Sequence, residues 1–322
     1  MFVVAGEALI DFIATGDGNY RPVAGGAPYN FARALALQGI ATGYANPLSN
    51  DNFGTLLRAS LIASGAAALG PTLPQPTSLA LVGKSAAGQP SYQFYRAGVA
   101  DRALSLAQLT GQFGAQTLGF HSGGLALVPP DHEIISAAQQ QARDLGILCT
   151  LDVNMRMQVA GSMGVSPRDY RDAARAAIRG ADIVKVSDED LQHLGFTASP
   201  VDAARELLDA VGKIVVVTLG AGGAWVVTAE QEIFQPAQVV TVVDTVGAGD
   251  CFFAGFIAAM VHDDAIKATP TRLVLEQALR HAARCAAINI TRDGCQPPTW
   301  ADGRNAFAVD VRKSRKHFQY IP

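Results

Sequence analysis

Short apolar runs alternate with longer amphipathic ones along most of the 322 residues. "FVVA" near the N-terminus predicts a strand. "PYNFARALALQG" (28–39) predicts a helix with Pro28 in its first turn and Gly39 as its stop. "ATGYA" predicts a strand, and "DNFGTLLRASLIASG" a helix capped by Asp51. Further on come the strand "QTLGFH", the helix "DHEIISAAQQQARDLG", the strand "ILCTLDV" and the helix "PRDYRDAARAAIRG". The strand "DIVKV", the helix "SPVDAARELLDAVG" and the strand "KIVVVTLG" follow. Near-continuous apolar strands between helices point to an α/β fold whose parallel sheet is covered on both faces. Ligands of such sheets bind beyond the C-terminal ends of the strands.

Two stretches break the alternation. Residues 11–26 and 77–101 read as strands and hairpins, and "SYQFY" alternates with the period of a half-exposed strand. "SAAGQP" between two such runs reads as a hairpin loop. Together they predict a small β lid on a core made of 1–10, 27–76 and 102–322. The sequence shows no internal repeat, and no linker long enough to separate two independent domains.

Composition narrows the function classes. Hydrophobic residues make up 49% and charged residues 16%, enough for a large buried core. A formal net charge of -3 leaves no basic footprint for nucleic acid. Arg312, Lys313, Arg315 and Lys316 are clustered near the C-terminus and read as a solvated tail. The cysteines at 149, 251, 285 and 295 form no C-x-x-C pair, which argues against zinc and dithiol chemistry; Cys149 and Cys285 read as small buried hydrophobes. The N-terminus has no basic region before its apolar residues and carries Glu7 and Asp11, so it is not a signal peptide. The longest uncharged stretch, between Arg58 and Lys84, is broken by prolines and cannot be a membrane helix. A soluble, cytoplasmic protein without nucleic-acid or membrane partners is expected.

The chemistry is concentrated in "DTVGAGDCFFAGF" (244–256). Gly247, Ala248 and Gly249 lead into Asp250 and an apolar helix. Small residues before a helix let unpaired backbone N–H groups converge, and the helix dipole adds positive potential there. That is an anion site suited to phosphate. A carboxylate beside it is tolerable when its task is to take a proton from a hydroxyl attacking phosphorus. Alone, the stretch reads equally well as an N-capping Asp after a glycine turn. The P-loop pattern G-x-x-x-x-G-K-[ST] is absent, and "GEALID" rather than G-x-G-x-x-G follows the first strand.

The same residues resemble the C-terminal signature of ribokinase-like (pfkB-type) carbohydrate kinases, D-T-x-G-A-G-D. "GGAPYNFARALALQG" (25–39) resembles the family's N-terminal signature, in the family's order and more than two hundred residues away. "FYRAGVADRAL", "LDVNMR", "VTLGAGGAW" and "TRDGCQP" resemble further stretches of its fructokinase-like members, so the resemblance covers essentially the whole chain. It implies a three-layer α/β/α sandwich around a mostly parallel sheet, with a small β-strand lid.

Carried over residue by residue, the resemblance implies Asp250 as catalytic base and Gly247, Ala248 and Gly249 as anion hole. Asp11, Gly25, Gly26 and Asn30 fall at sugar-contacting positions, with Arg96 and Arg156 reaching the sugar or the phosphates. Sugar hydroxyls need carboxylates and amides that orient them, and paired glycines let the backbone approach the ring. Lys185, Ser187, Thr218, Gly220, Gly223 and Gly249 fall on the nucleotide side. Asp244, Val246, Asn289, Arg292 and Gly294 fall where relatives hold a monovalent cation through mainly backbone oxygens. The family's N-x-x-E is replaced by "SDEDL": Ser187 can cap the following helix, and Asp190 is expected to reach Mg²⁺ through water. The implied activity is ATP-dependent phosphorylation of a primary hydroxyl of a small sugar, fructokinase-like, with ATP, Mg²⁺ and K⁺ and a homodimer clasped through the lid. A kinase of a 2-keto-3-deoxy sugar acid or a nucleoside, and a catalytically inactive sugar-binding regulatory protein, stay open as alternatives.

Overall fold

The structure is a computed structural model that describes residues 1–15, 18–84 and 90–305. The tail cluster at 312–316 and most of the "SAAGQP" loop lie outside the described residues.

Nine strands form the main sheet. In spatial order they are Glu232–Gln235, Ala224–Val227, Ile214–Thr218, Ile183–Ser187, Leu148–Asp152, Gly119–Gly123, Phe2–Val4, Thr42–Tyr44 and Ala67–Ala68. From Ile214–Thr218 onward every neighbouring pair is parallel, whereas Ala224–Val227 and Glu232–Gln235 add an antiparallel edge. That edge hairpin was not anticipated from the sequence. It turns on the polar segment Thr228–Gln231, where the Thr228 N–H donates to the Gln231 carbonyl at 2.9 Å.

The apolar strands divide their side chains between two cores, as a period of two requires. Phe2, Val4, Ile183, Ile214 and Val216 enter one core, packed with Leu35, Phe256 and Leu279 of the helices Ala27–Leu37, Ala248–His262 and Arg272–Ile290. Val3, Cys149, Leu151, Val184, Val215 and Val217 enter the other, with Ala138, Ala174 and Ala204 of the helices His132–Asp144, Pro167–Arg179 and Pro200–Leu208. Each large side chain fully buried in this way is worth about 1.5–3 kcal/mol over leaving it exposed. The three-layer sandwich expected from the sequence is therefore present. All four cysteines are free thiols buried in these layers. No helix among the described residues is long and apolar enough to cross a membrane.

Near the strand C-termini the same periodicity places polar groups where apolar ones would otherwise sit. His121, Thr150, Asp152 and Lys185 lie on the side facing helix Ala248–His262. His121 pairs in register with Thr150, and Asp152 with Lys185. Phe31 stacks on the His121 ring with centroids 3.5 Å apart, sealing this polar row from the apolar core behind it.

A second sheet of four strands stands apart, in the order Tyr20–Gly25, Leu9–Ala14, Ser78–Lys84, Pro90–Tyr95. It consists of two antiparallel hairpins joined by parallel pairing of their inner strands. Its strands come from the two stretches that interrupt the βα alternation in the sequence.

Candidate active site

A cavity of about 350 Å³ opens between the strand C-termini, the helix Ala248–His262 and the four-stranded sheet. Asp250 is at its floor. The helix begins at Ala248, with Gly247 as N-cap in the left-handed region (φ 73°). Asp250 therefore sits inside the first turn and is not the cap. A β-carbon on Gly247 would lie 2.3 Å from Cys295 Sγ, so only glycine fits there. Within the turn the Ala248 N–H donates back to the Thr245 carbonyl at 3.2 Å, which takes it out of the expected anion hole. The N–H groups of Gly247, Gly249 and Asp250 have no acceptor among the described residues and are the open donors.

Asp250 is 7% exposed and accepts a hydrogen bond from Asn30 Nδ2 at 2.9 Å. Burial pushes its carboxyl up to about 7; the Asp152 carboxylate adds to this, while Asn30, Lys185 and Arg156 oppose it. An acid poised there takes and releases protons near neutrality. The other end of the Asn30 amide, Oδ1, is buried without a partner and is ready to accept a hydroxyl.

Asp11 comes from the four-stranded sheet and lines the same cavity. Burial raises its carboxyl to about 6, against the pull of Arg156. A β-carbon on Gly25 would stand 2.2 Å from Asp11 Oδ2, so the bare Gly25 backbone gives that carboxylate its room. Gly26, at φ 105°, starts the helix that carries Asn30. Arg156 reaches the cavity from the loop after strand Leu148–Asp152, its N–H held by the Tyr170 hydroxyl at 3.1 Å. Neighbouring Asn154 lines the cavity with φ 39°, a conformation that asparagine, aspartate and glycine adopt more readily than other residues.

Lys185 lines the cavity beside the 247–249 turn. A β-carbon on Gly249 would be 3.2 Å from its Nζ. Thr218 ends the neighbouring strand, and Gly220 and Gly223, both with positive φ, bracket a short 3₁₀ turn after it. Asp244, Val246, Asn289, Arg292 and Gly294 meet in one knot. Asp244 accepts from the Val246 and Gly294 N–H groups at 3.0 and 2.9 Å, Asn289 Nδ2 donates to the Val246 carbonyl at 2.8 Å, and the Arg292 N–H donates to the Asn289 carbonyl at 3.0 Å.

Two expected residues are not brought to the cavity. Arg96 is buried and ion-paired with Asp101 at 3.0 Å, at the foot of the four-stranded sheet. Asp190 is also buried. One of its oxygens accepts the Met155 N–H at 2.7 Å and the other accepts both the N–H and the hydroxyl of Ser187, each at 2.8 Å. Ser187 does cap the helix Asp188–Leu194, and Asp190 completes that capping box.

Two acids were missed. Glu7 lines the cavity, and Asp152 holds Lys185 with both carboxylate oxygens. The signal for Glu7 was available: it is an acid in an otherwise apolar N-terminal run.

A doubly wound α/β layer, a glycine-rich helix start with open amides and an adjacent acid, and a β-sheet facing them across a cavity of about 350 Å³ define a ribokinase-like architecture. The chain belongs to the pfkB family of carbohydrate kinases, whose signature matches residues 1–302. A fructokinase of Rhizobium leguminosarum bv. trifolii is 35% identical over 287 residues, which cover 87% of this chain and 86% of that one. Fructokinase-2 of Solanum habrochaites is 31% identical over 308 residues, covering 92% of each. The crystal structure of a Xylella fastidiosa fructokinase with bound ATP superposes with a TM-score of 0.84 at 26% identity, covering 94% of this chain and 96% of that one. A Vibrio cholerae O395 fructokinase double mutant, bound to fructose, ADP and potassium, gives 0.81 at 26% identity with the same coverage.

Proposed function

We propose that this protein is a fructokinase that transfers the γ-phosphoryl group of MgATP to a primary hydroxyl of fructose. The observation that carries the reading is the Asn30–Asp250 pair at the start of a helix with open amides. The sugar hydroxyl lies between the unpartnered Asn30 Oδ1 and the Asp250 carboxylate. Asp250 takes its proton as the oxygen bonds to phosphorus and ADP departs. The open amides of Gly247, Gly249 and Asp250, with the Lys185 ammonium below, stabilise the charge on the transferring oxygens. Asp11 and Arg156 orient the remaining hydroxyls, and the backbone at Gly25 and Gly26 lets the ring approach. Thr218, Gly220 and Gly223 form the nucleotide side. The four-stranded sheet acts as a lid that keeps water from the phosphoryl group.

Acidic side chains among the described residues form no cluster able to hold a metal on their own. Magnesium enters with ATP as part of the substrate. The 244–246 and 289–294 knot is a set of hard oxygen donors, which suits an alkali cation such as K⁺. The lid sheet ends in two open edge strands bearing the exposed Tyr20 and Tyr95, and a second copy of the chain covers them in a homodimer.

A substrate panel with fructose, ribose, adenosine and a 2-keto-3-deoxy sugar acid tests this reading, with and without potassium. ADP formation with fructose, raised by potassium, supports it. Turnover restricted to another substrate moves the specificity, and the absence of any sugar-dependent ATP consumption overturns the reading. A sedimentation mass of one chain overturns the dimer.

A further inference from the structure

The four-stranded sheet joins the core at four points of the chain, and two buried carboxylates sit at them. The hairpin of Leu9–Ala14 and Tyr20–Gly25 leaves the core just after Glu7 and returns to it at Ala27. Glu7 Oε1 accepts the Ala27 N–H at 3.1 Å, which ties the two feet of that hairpin together. Its other oxygen accepts the Leu125 N–H, also at 3.1 Å, from the far wall of the cavity. The second hairpin is closed in the same manner: Asp101 accepts the Ser78 hydroxyl at 2.5 Å and Arg96 Nη2 at 3.0 Å. Asn46 links the two clasps. Its Oδ1 accepts the Gly6 N–H at 2.8 Å and its Nδ2 donates to the Asp101 carbonyl at 2.8 Å.

Glu7, Asn46, Arg96 and Asp101 are all buried, and none has a part in the transfer step proposed above. Burying ionisable groups is costly, so their retention asks for a reason. Only Glu7 of the four faces the cavity, and both turns it holds, Gly26–Ala27 and Gly124–Leu125, line it. The contacts are close: a β-carbon on Gly124 would lie 2.5 Å from Glu7 Oε1, and one on Gly26 would lie 2.4 Å from the Glu7 carbonyl oxygen.

We propose that Glu7 is a positioning residue for the sugar: it sets the width of the cavity by holding the turns at Ala27 and Leu125 on one carboxylate, and it couples both lid hairpins to that width through Gly6, Asn46 and Asp101. The inference rests on the sugar-kinase reading for its consequence but not for its geometry. Glutamine keeps the shape of Glu7 yet replaces one acceptor oxygen with an NH₂ that faces an N–H donor. Aspartate keeps the charge but is one methylene too short to reach both turns.

Glu7→Gln and Glu7→Asp are made in the full chain. The KM for the sugar identified by the substrate panel is expected to rise about tenfold or more, as for a buried donor left unpaired. kcat should change by a smaller factor and KM for ATP should stay put. Hydrogen exchange at the Ala27 and Leu125 amides is expected to speed up together in Glu7→Gln. An unchanged sugar KM, or retained protection at either amide, overturns the inference. Should Glu7→Gln fail to fold, Asn46→Ala decides: it leaves both carboxylates in place, and an unchanged sugar KM there removes the coupling. A wild-type chain with no sugar-dependent turnover refutes the kinase reading instead, and the exchange measurement still tests the clasp.

Discussion

Lys185 Nζ lies 2.8 and 2.9 Å from the two carboxylate oxygens of Asp152, its register partner on the next strand. Burial alone would push the ammonium down, but Asp152, Asp190 and the hydrogen bonds outweigh it and hold Lys185 above the ordinary lysine range. A permanently charged group is thus fixed under Gly249 without the freedom of a surface lysine. The pair also brackets Asp250 electrostatically, since Asp152 raises its carboxyl and Lys185 lowers it.

The two partners should therefore shift the pH dependence of turnover in opposite directions. In the proposed transfer step Asp250 works as the carboxylate, so kcat/KM is expected to fall as pH drops through about 7. Asp152→Asn removes a repelling charge and should move that acid limb down by about one pH unit, whereas Lys185→Met should move it up by a similar amount. Full pH–rate profiles of both variants check this. Shifts in the same direction would refute it.

Asp250→Asn is expected to lower kcat by about 10²–10⁴ while sugar binding, read by calorimetry, is largely kept. The same variant should be more stable than wild type at pH 8. The folded protein holds the Asp250 proton up to about 7, whereas the unfolded chain releases it near the ordinary carboxylate range. Folding is therefore opposed as pH rises through that window and relieved as pH falls. A thermal midpoint gain of about a few degrees at pH 8, shrinking toward pH 5, is expected.

Gly25→Ala places a methyl group against Asp11 Oδ2. Asp11 must then turn away from the cavity. The sugar KM should rise about tenfold or more, as for a lost charged hydrogen bond, with the KM for ATP unchanged. Steady-state kinetics with each substrate varied in turn separate the two.

His281 offers a stability test away from the site. Its Nε2 lies 2.7 Å from Gln38 Oε1, and Trp300 packs between its ring and that of His262. Burial lowers its pKa to about 4, helped by Arg284, His262 and Arg304. The unfolded chain takes up the proton first as pH falls, so this histidine costs stability between about 6.5 and 4. Glu7, Asp11 and Asp250 act with the opposite sign, so the difference between wild type and His281→Gln is the informative quantity. The deficit in thermal midpoint of the variant should narrow steadily across that pH range.

Much of the layer structure was legible because the strands are long apolar runs and the helices carry their caps. Asp51 and Ser187 cap where their spacing predicted. The hairpin Ala224–Val227 and Glu232–Gln235 was not legible, since its second strand is short, half polar and bounded by ordinary turn residues. Residues of the two glycine-rich signatures meet at one cavity, and they were legible because small residues and acids leave a pattern. Arg96 and Asp190 stand away from the cavity, which was not legible because residue type reveals charge but not partner: Arg96 pairs with Asp101, and Asp190 with Ser187. Asp152 escaped because its meaning lies in a cross-strand register that exists only once the sheet has formed.

The helix that bears Asp250 is buried along most of its length and wedged between two others. Such a segment tolerates few replacements, so the packing itself constrains the residues that the proposed transfer step uses. The hairpin that carries Asp11 sends Ile10 and Phe12 into the core and leaves Asp11 and Ile13, on its other face, lining the cavity. If Asp11 orients the sugar as proposed, adaptation to a different carbohydrate can proceed on that face one side chain at a time, while the reaction stays as it was.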